Sequence, residues 1–566
     1  APAVSFLFKG GHMLLGIDVG GTFTDAVIID EGTIVSSAKR RTTKDNLMNG
    51  ITDALGAVMS DVDPTQIEQV TLSTTVVTNT IVEHKEQPVD LYVVAGPGRN
   101  VDDIFPVRPV YLKGYTDHRG IVVERTDVEG TRQLANMVQA KSGTDLAAVS
   151  AKFGVRNPKE EIDIAHGLAS TYSTISTGSA LSGNLNFPRR TISAYFNSAV
   201  ASVFKDFKNA VHHALETFHI TAPVYILKAD GGSLPIDTVE SIPVETVFTG
   251  PAATVLGLEA LRSTKEAHTV ALDIGGTTTD ISLWKQGKPL MTKEGVSIRE
   301  YPSAVRSFAV TSVGIGGESA VRYEDGNLMV GPERLGPSVA LGGTIPTLGD
   351  ALIVLGNAHY GDEQKAYDAI AQIDMTIDAK TMAQRIVDTA VRVVQQGIDV
   401  VVAKENKRPI YVVADIVHPD PFVPAQLVIV GGTAASLGPI IGDQLGLPVH
   451  IPPDAAVANA IGAGVANHTM AITVHVDTKR RTMVVPELGI QDKSSSLRSA
   501  NAVEEIAYDL LRDAAREQGL VPPDAMPAIE TISVEDFPVV DGWQSMERII
   551  TVKVQLKAGV SSYVES

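Results

Sequence analysis

Two eight-residue strings hold the residues best suited to chemistry: DVGGTFTD, Asp18 to Asp25, and DIGGTTTD, Asp273 to Asp280. They agree at six positions: the first aspartate, both glycines, two threonines and the last aspartate. Paired glycines admit positive φ and let an anion approach main-chain N–H groups, and threonine hydroxyls add donors, so each string can cradle phosphate. Asp18 and Asp273 would repel that phosphate unless a cation stood between them. This points to Mg2+, usually still partly hydrated, as the ion they would hold. One such string alone is equally well a tight hairpin turn; two matched copies argue for a shared task. Asp25 and Asp280 are read as structural, holding each hairpin by accepting backbone hydrogen bonds. The chain has no GxxxxGKS/T and no GxGxxG after a strand, which leaves Walker-type and dinucleotide sites unsupported. A phosphate site made of two facing hairpins requires two similar domains with a cleft between them.

The composition narrows the partners. The chain has 566 residues, a formal charge of −19 and a pI near 5.1. A phosphodiester backbone would be repelled, so nucleic acid is not expected. With no cysteine, disulfides, thiolate zinc sites, Cys-ligated iron–sulfur clusters and a cysteine nucleophile are excluded, and a reducing, cytoplasmic setting is the default. No segment offers about 18 uninterrupted apolar residues, so no membrane partner is expected. Residues 1–12 are read as an expression-vector remnant.

The elements that must position the two strings are written in the hydrophobic pattern. LLGIDVGG followed by TFTDAVIID reads as two strands joined by a hairpin, and TVALDIGGTTTDISLW repeats the arrangement. QVTLSTTVV (Gln69 to Val77) and VDLYVVAG (Val89 to Gly96) read as further strands. Between them, Leu47, Ile51, Leu55 and Val58 recur at helical spacing, so the first part is an α/β layered domain. A helix over residues 193–219 has Val200, Phe204, Phe207, Val211 and Leu215 on its stripe, and His212 and His213 within it are read as surface residues. A long helix from about 378 to 403 has Asp378 as N-cap and Met382, Ile386, Val387, Val391, Val394 and Ile398 as its buried face. From about Ile472 a β-α-β-β module begins. It offers no chemistry, and an interface or scaffold role is its default.

The paired hairpins, with VIVGGTAASLG (Val428 to Gly438), resemble the phosphate-1, phosphate-2 and adenosine motifs of the actin–hexokinase–heat-shock chaperone superfamily. Within it the chain resembles the hydantoinase/oxoprolinase family, in the A-type subunit. The motifs run in the family's order: STTVVTN (Ser73 to Asn79), LKADGGSLP (Leu227 to Pro235), FTGPAATVLG (Phe248 to Gly257), LDIGGTTTD, SVGIGGES (Ser312 to Ser319) and PTLGDALIVLG (Pro346 to Gly356). Departures are Thr311 where the family has histidine, Glu318 where it has a third glycine, Leu352 where it has asparagine, and LGPSVALGG without Cys or Tyr.

The resemblance implies an α/β fold with two ribonuclease H-like (actin-like ATPase) domains flanking an ATP cleft. These span residues 13–190, with an insertion, and 191–470, followed by an α+β module at 471–566. ATP and Mg2+ are the implied cofactors. Gly20, Gly21, Thr22 and Thr24 would cradle one part of the triphosphate and Gly275, Gly276, Thr277 and Thr278 another. Gly431, Gly432 and Thr433 would lie against the adenosine, and Asp18 and Asp273 would act as catalytic and metal-organising groups. Thr74, Thr75 and Asn79 either face the substrate or form a strand-end turn. Glu318 would need a cationic partner. The implied activity is ATP-dependent opening of a cyclic amide (hydantoin, 5-oxoproline or lactam) with a B-type hydantoinase subunit as partner, and a homo-oligomer is left open. The same apparatus would serve a carboxylase subunit phosphorylating a ketone enol or bicarbonate, or an ATP-driven reactivase or chaperone-like clamp.

Overall fold

The computed structural model describes residues 13–42, 47–98, 102–262, 267–292, 294–408, 419–493, 497–539 and 547–565. The opening residues 1–12 and most of the polar DKSSS loop lie outside them. The chain is a mixed α/β protein with several sheets, as expected.

The first sheet starts from β1 (Met13–Val19), apolar but for Asp18 near its end and buried along most of its length as a central strand should be. It turns into β2 (Phe23–Asp30) and β3 (Thr33–Arg41). After a crossover comes β4 (Ile67–Thr74). The run expected to stay extended to Val77 ends at Thr74, whose Oγ1 accepts the Val76 N–H at 3.2 Å and starts α1 (Val76–Val82). The single helix expected over 193–219 is two, α2 (Phe187–Ala199) and α3 (Ala201–Thr217), which meet at Val200 with φ −108°. α2 begins earlier than expected because Asn186 caps it with proline in its first turn. β5 (Val224–Leu227) and β6 (Ser233–Pro235) complete the sheet in the order β6-β5-β4-β1-β2-β3. Two of its strands thus come from beyond residue 190. A separate four-stranded sheet is built within residues 90–177.

α4 (Thr249–Ala260) leads to the second sheet: β7 (Thr269–Ile274), β8 (Thr279–Lys285), β9 (Lys288–Pro289) and β10 (Val310–Val313). Then follow α5 (Ala379–Asn406), β11 (Gln426–Val430), α6 (Ala434–Leu445) and β12 (Val449–His450). The strand order is β9-β8-β7-β11-β12, with β10 beside β8. Both sheets share one plan. An antiparallel meander (β1-β2-β3, β7-β8-β9) is flanked by two parallel strands (β4-β5, β11-β12). α5 buries the face read from the sequence, and Asp378 Oδ1 accepts the Thr381 N–H at 3.0 Å as its cap.

α7 (Ala458–Gly464) packs on α4 and β1. At Gly257 an added Cβ would sit 2.1 Å from the Ala458 carbonyl oxygen, and at Gly462 2.0 Å from that of Ala253. Only glycines let these two helices touch backbone to backbone.

The last part holds β13 (Ala471–Asp477), β14 (Thr482–Val485), β15 (Ile490–Lys493), α8 (Ala500–Glu517), β16 (Ile529–Val539) and β17 (Glu547–Leu556). It is an antiparallel sheet ordered β15-β14-β13-β17-β16 with one helix, so what read as one strand before the helix is three. Its Ile472, Val474, Leu511 and Val552 join one hydrophobic cluster with Leu15, Leu72 and Phe204. Among the described residues no helix is long and apolar enough to cross a membrane.

Candidate active site

The shared sheet plan places the two strings equivalently. Asp18 pairs across its hairpin with Asp25, and Asp273 with Asp280. In each turn the first glycine N–H is consumed locally: Gly20 N bonds Phe23 O and Gly275 N bonds Thr278 O, both at 3.0 Å. Those two N–H groups therefore close their turns and leave the cradle to their neighbours. The N–H groups of Gly21, Thr22, Gly276 and Thr277 have no partner among the described residues, the condition an anion-binding turn requires. The turns face each other closely: a Cβ on Gly276 would lie 3.6 Å from Thr22 Cγ2 and 3.5 Å from Glu318 Oε2. Thr278 is exposed at the rim.

Thr24 does not face the cleft. It is fully buried, its hydroxyl pairs with Thr42 Oγ1 at 3.0 Å, and Thr42 Oγ1 in turn donates to Gly20 O at 2.8 Å. Thr279, its counterpart, is buried and donates to Ile315 O at 2.7 Å. The last threonine of each string braces its turn from beneath.

The aspartates converge across one amide. Asn459 Nδ2, on α7, donates to Asp18 Oδ2 at 3.4 Å and to Asp273 Oδ2 at 3.3 Å. Thr254 Oγ1, on α4, reaches Asp273 Oδ2 at 2.6 Å and Asn459 Oδ1 at 2.9 Å. Ser73 Oγ, at the end of β4, donates to Asp18 Oδ1 at 2.5 Å. The close α4–α7 contact is what brings Thr254 and Asn459 to this point. Burial, reinforced by the charge of Asp25, pushes the Asp18 carboxyl up to about 7, against the opposing pull of Ser73, Lys39 and Asn459. Asp25 is raised by burial too, and the charge of Asp273 adds to this while Lys39 opposes it. Asp280 reaches about 6 through loss of solvent and the charge of Asp273.

The expected backbone partners of Asp25 and Asp280 are side chains instead. Lys39 Nζ lies 2.6 Å from Asp25 Oδ2 and Ser312 Oγ donates to Asp280, while Asp25 Oδ1 is buried without a hydrogen bond. Asp18 and Asp25 are buried and Asp273 and Asp280 half-buried, all are hard oxygen donors that repel one another, so an adjacent divalent charge would relieve them, and the residues fit a hydrated Mg2+. Among the described residues no three of His, Asp and Glu converge as a metal cage, so the ion would rest on Asp18, Asp273, waters and phosphate oxygens.

The remaining expected residues divide. Gly431 takes φ +96°, and a Cβ there would lie 2.4 Å from Asp273 Oδ1. Gly432 opens toward Lys39, 3.9 Å from where its Cβ would be. Thr433 Oγ1 donates to Gly275 O at 3.2 Å, which ties this loop to the second turn. Thr74 is buried against Thr249, its N–H on Thr249 Oγ1 at 3.0 Å, which realises the strand-end turn. Thr75 and Asn79 bond each other at 3.1 Å beside the first turn, with Thr75 N on Val19 O at 3.1 Å. Glu318 has two cationic partners, Arg334 Nε at 2.6 Å and Arg41 Nη2 at 3.3 Å. His212 and His213 sit on α3 as surface-side residues.

Sequence reasoning missed Asn459, Thr254, Ser73, Lys39, Arg41 and Arg334. Ser73 and Thr254 lie inside recognised motifs. Lys39 stands directly across β2–β3 from Asp25.

Residues 14–171 match the model of the hydantoinase/oxoprolinase N-terminal region, and residues 190–472 that of hydantoinase/oxoprolinase. The chain is 26% identical over 382 residues to caprolactamase subunit alpha of Pseudomonas jessenii, covering 60% of this chain and 54% of that one. It therefore spans about half the length of that relative. The fold is shared with a solved nucleotide-free acetone carboxylase (16% identity, TM-score 0.67, 97% of this chain and 88% of that one). It is also shared with an ATP-dependent caprolactamase from Pseudomonas jessenii (20% identity, TM-score 0.67, 96% and 87%). With both models matched in order along the same stretch that builds the two facing turns, the chain belongs to the hydantoinase/oxoprolinase family.

Proposed function

We propose that this chain is the nucleotide-using subunit of an ATP-dependent amidohydrolase, which activates a cyclic amide by phosphorylating its carbonyl oxygen before the ring opens. The observation that carries the reading is the convergence of Asp18 and Asp273, from two sheets of the same plan, on the one amide of Asn459. On this reading the two sheets belong to ribonuclease H-like domains that flank the ATP cleft.

The free N–H groups of Gly21, Thr22, Gly276 and Thr277 bind the triphosphate, and Gly431 and Gly432 admit the adenosine. Lys39, Arg41 and Arg334 supply positive charge at the rim. Bound Mg2+ would neutralise the phosphates and be held by Asp18 and Asp273. Positioning and electrostatics provide most of the acceleration in such a transfer. The lactam carbonyl oxygen takes the γ-phosphoryl group and ADP leaves. Water then adds to the activated carbon, the C–N bond breaks with the nitrogen taking a proton, and the phosphate departs. Burial and Asp25 raise the Asp18 carboxyl in the ligand-free protein, and a bound cation would restore its charge, so Asp18 serves this step by holding the ion and its waters in place.

A B-type subunit is the proposed partner and the cytoplasm the proposed setting. The shared fold with acetone carboxylase supports a second reading, phosphorylation of a ketone enol or bicarbonate by the same residues. A panel of hydantoin, 5-oxoproline, lactams and ketones with bicarbonate, scored for ATP consumption with the partner subunit present, separates them. Turnover raised by cyclic amides supports the hydrolase and bicarbonate-dependent stimulation by a ketone the carboxylase. Stimulation by a protein alone would make the chain a reactivase-like clamp and sink both.

A further inference from the structure

The LKADGGSLP motif takes no part in the nucleotide clamp. It borders a partly open cavity of about 220 Å³, lined by the β5–β6 turn, the loop before α4, residues 304–306, β13 and β17. At ~30 Å³ per water this holds roughly seven waters, or a molecule of amino-acid size. Its wall is rich in charge: Lys228, Asp230, Glu245, Arg306 and Lys553, with Gln555.

Most of these groups are engaged. Asp230 accepts from Lys228 Nζ at 3.3 Å, Gly232 N at 3.0 Å and Gln555 Nε2 at 3.4 Å, and Gln555 Oε1 accepts from Arg306. Glu487, also in the wall, is saturated by Gly183 N, Thr473 N and Thr473 Oγ1. Two groups remain: the Glu245 carboxylate and the Lys553 ammonium, which line the cavity and make no hydrogen bond among the described residues. Both residues are half-buried, and charges that line a cavity without hydrogen bonds give up part of their hydration; here they are of opposite sign.

We propose that this cavity binds a small zwitterion, its carboxylate against Lys553 and its ammonium against Glu245. Burial, aided by the charge of Asp230, pushes Glu245 up to about 7 while Lys228, Lys553 and Arg306 oppose it; burial also lowers Lys553. Each would regain its ordinary charged state beside a complementary ligand group.

The choice of ligand rests on the amidohydrolase reading. Adding water across a lactam C–N bond leaves a carboxylate and an amine on one chain, which is a zwitterion of this kind. The cavity's place agrees with it. Lys228 follows β5, which lies beside β4, and β4 carries Ser73 to Asp18, so the Lys228 wall of the cavity stands at the same carboxyl edge of the sheet as the clamp, roughly 10 Å across two strands.

Isothermal titration of the full chain with 6-aminohexanoate, hexanoate and hexylamine tests the proposal. The zwitterion is expected to bind at least about tenfold more tightly than either single-charge analogue. Lys553→Met and Glu245→Gln should each weaken it about tenfold, and Glu245→Asp should keep most of the affinity while Mg-ATP binding is unchanged in all three. Equal binding of the three probes, or full zwitterion affinity in both neutralised variants, overturns the proposal. If the zwitterion binds selectively but no cyclic amide raises ATP turnover, the site stands and the amidohydrolase reading falls. If a cyclic amide raises turnover and the zwitterion does not bind, this inference alone falls.

Discussion

Asp18→Asn isolates the electrostatic load on the clamp. The asparagine side chain is isosteric and can still accept the Ser73 hydroxyl, but its amide then meets the Asn459 amide donor to donor, so the change removes the charge and that long hydrogen bond and leaves the shape. A carboxyl raised from 3.8 to about 7 on folding makes the folded state bind a proton more tightly than the unfolded one. The stability of the ligand-free protein is therefore full below pH 3.8 and is lost as the pH rises toward 7. This penalty is at most about 1.6 kcal/mol at pH 5 and about 4 kcal/mol at pH 8. In the Asp18→Asn variant it vanishes, so the variant should gain on the parent by up to about 2–3 kcal/mol between those two pH values. Scanning calorimetry at pH 5 and pH 8 reads the difference. With Mg-ATP at a hundredfold excess over its Kd the parent should gain about 2.7 kcal/mol, and the variant far less. A variant whose pH slope equals the parent's would refute the raised Asp18 carboxyl, and one that Mg-ATP stabilises equally would refute the assignment of Asp18 to the cation.

Asn459→Ala removes the one amide shared by both carboxylates and should lower Mg-ATP turnover by about 10- to 100-fold with a smaller effect on folding, read by steady-state phosphate release and by melting. Gly257→Ala drives a Cβ into the Ala458 carbonyl and should cost about 1–3 kcal/mol or more in denaturant titration, while an alanine at the open Gly446 position would strain only the backbone. Lys39→Met strips Asp25 of its ion pair; because that pair favours the ionised carboxylate, the loss in Tm should be greater at pH 8 than at pH 4. Arg41→Ala with Arg334→Ala should weaken ATP binding and steepen its dependence on Mg2+, measured by titration with a fluorescent nucleotide.

The hairpins were legible because glycine pairs and flanking apolar runs fix both turn and register locally. That register sets Asp18 opposite Asp25 and Asp273 opposite Asp280. The capped helix from Asp378 was legible for the same reason. What stayed hidden depends on contacts between distant segments. Asn459 gains its role only because Gly257 and Gly462 let two helices meet, and nothing at residue 459 records that. Thr24 and Thr22 look alike in the string, yet Thr22 lies in the turn itself while Thr24 is already inside β2, where its side chain is buried. Lys39 lay within reach of reasoning, since a charge directly across an antiparallel pair is the natural counterion, but it required the β2–β3 register first.

The backbone contact between α4 and α7 also bears on motion. Helices separated by long side chains can slide by changing rotamers, whereas two carbonyls seated on two glycines leave nothing to rearrange. The contact therefore opposes any sliding of α4 along α7, and a relative movement of the two helices has to be a rotation about the point where their backbones meet.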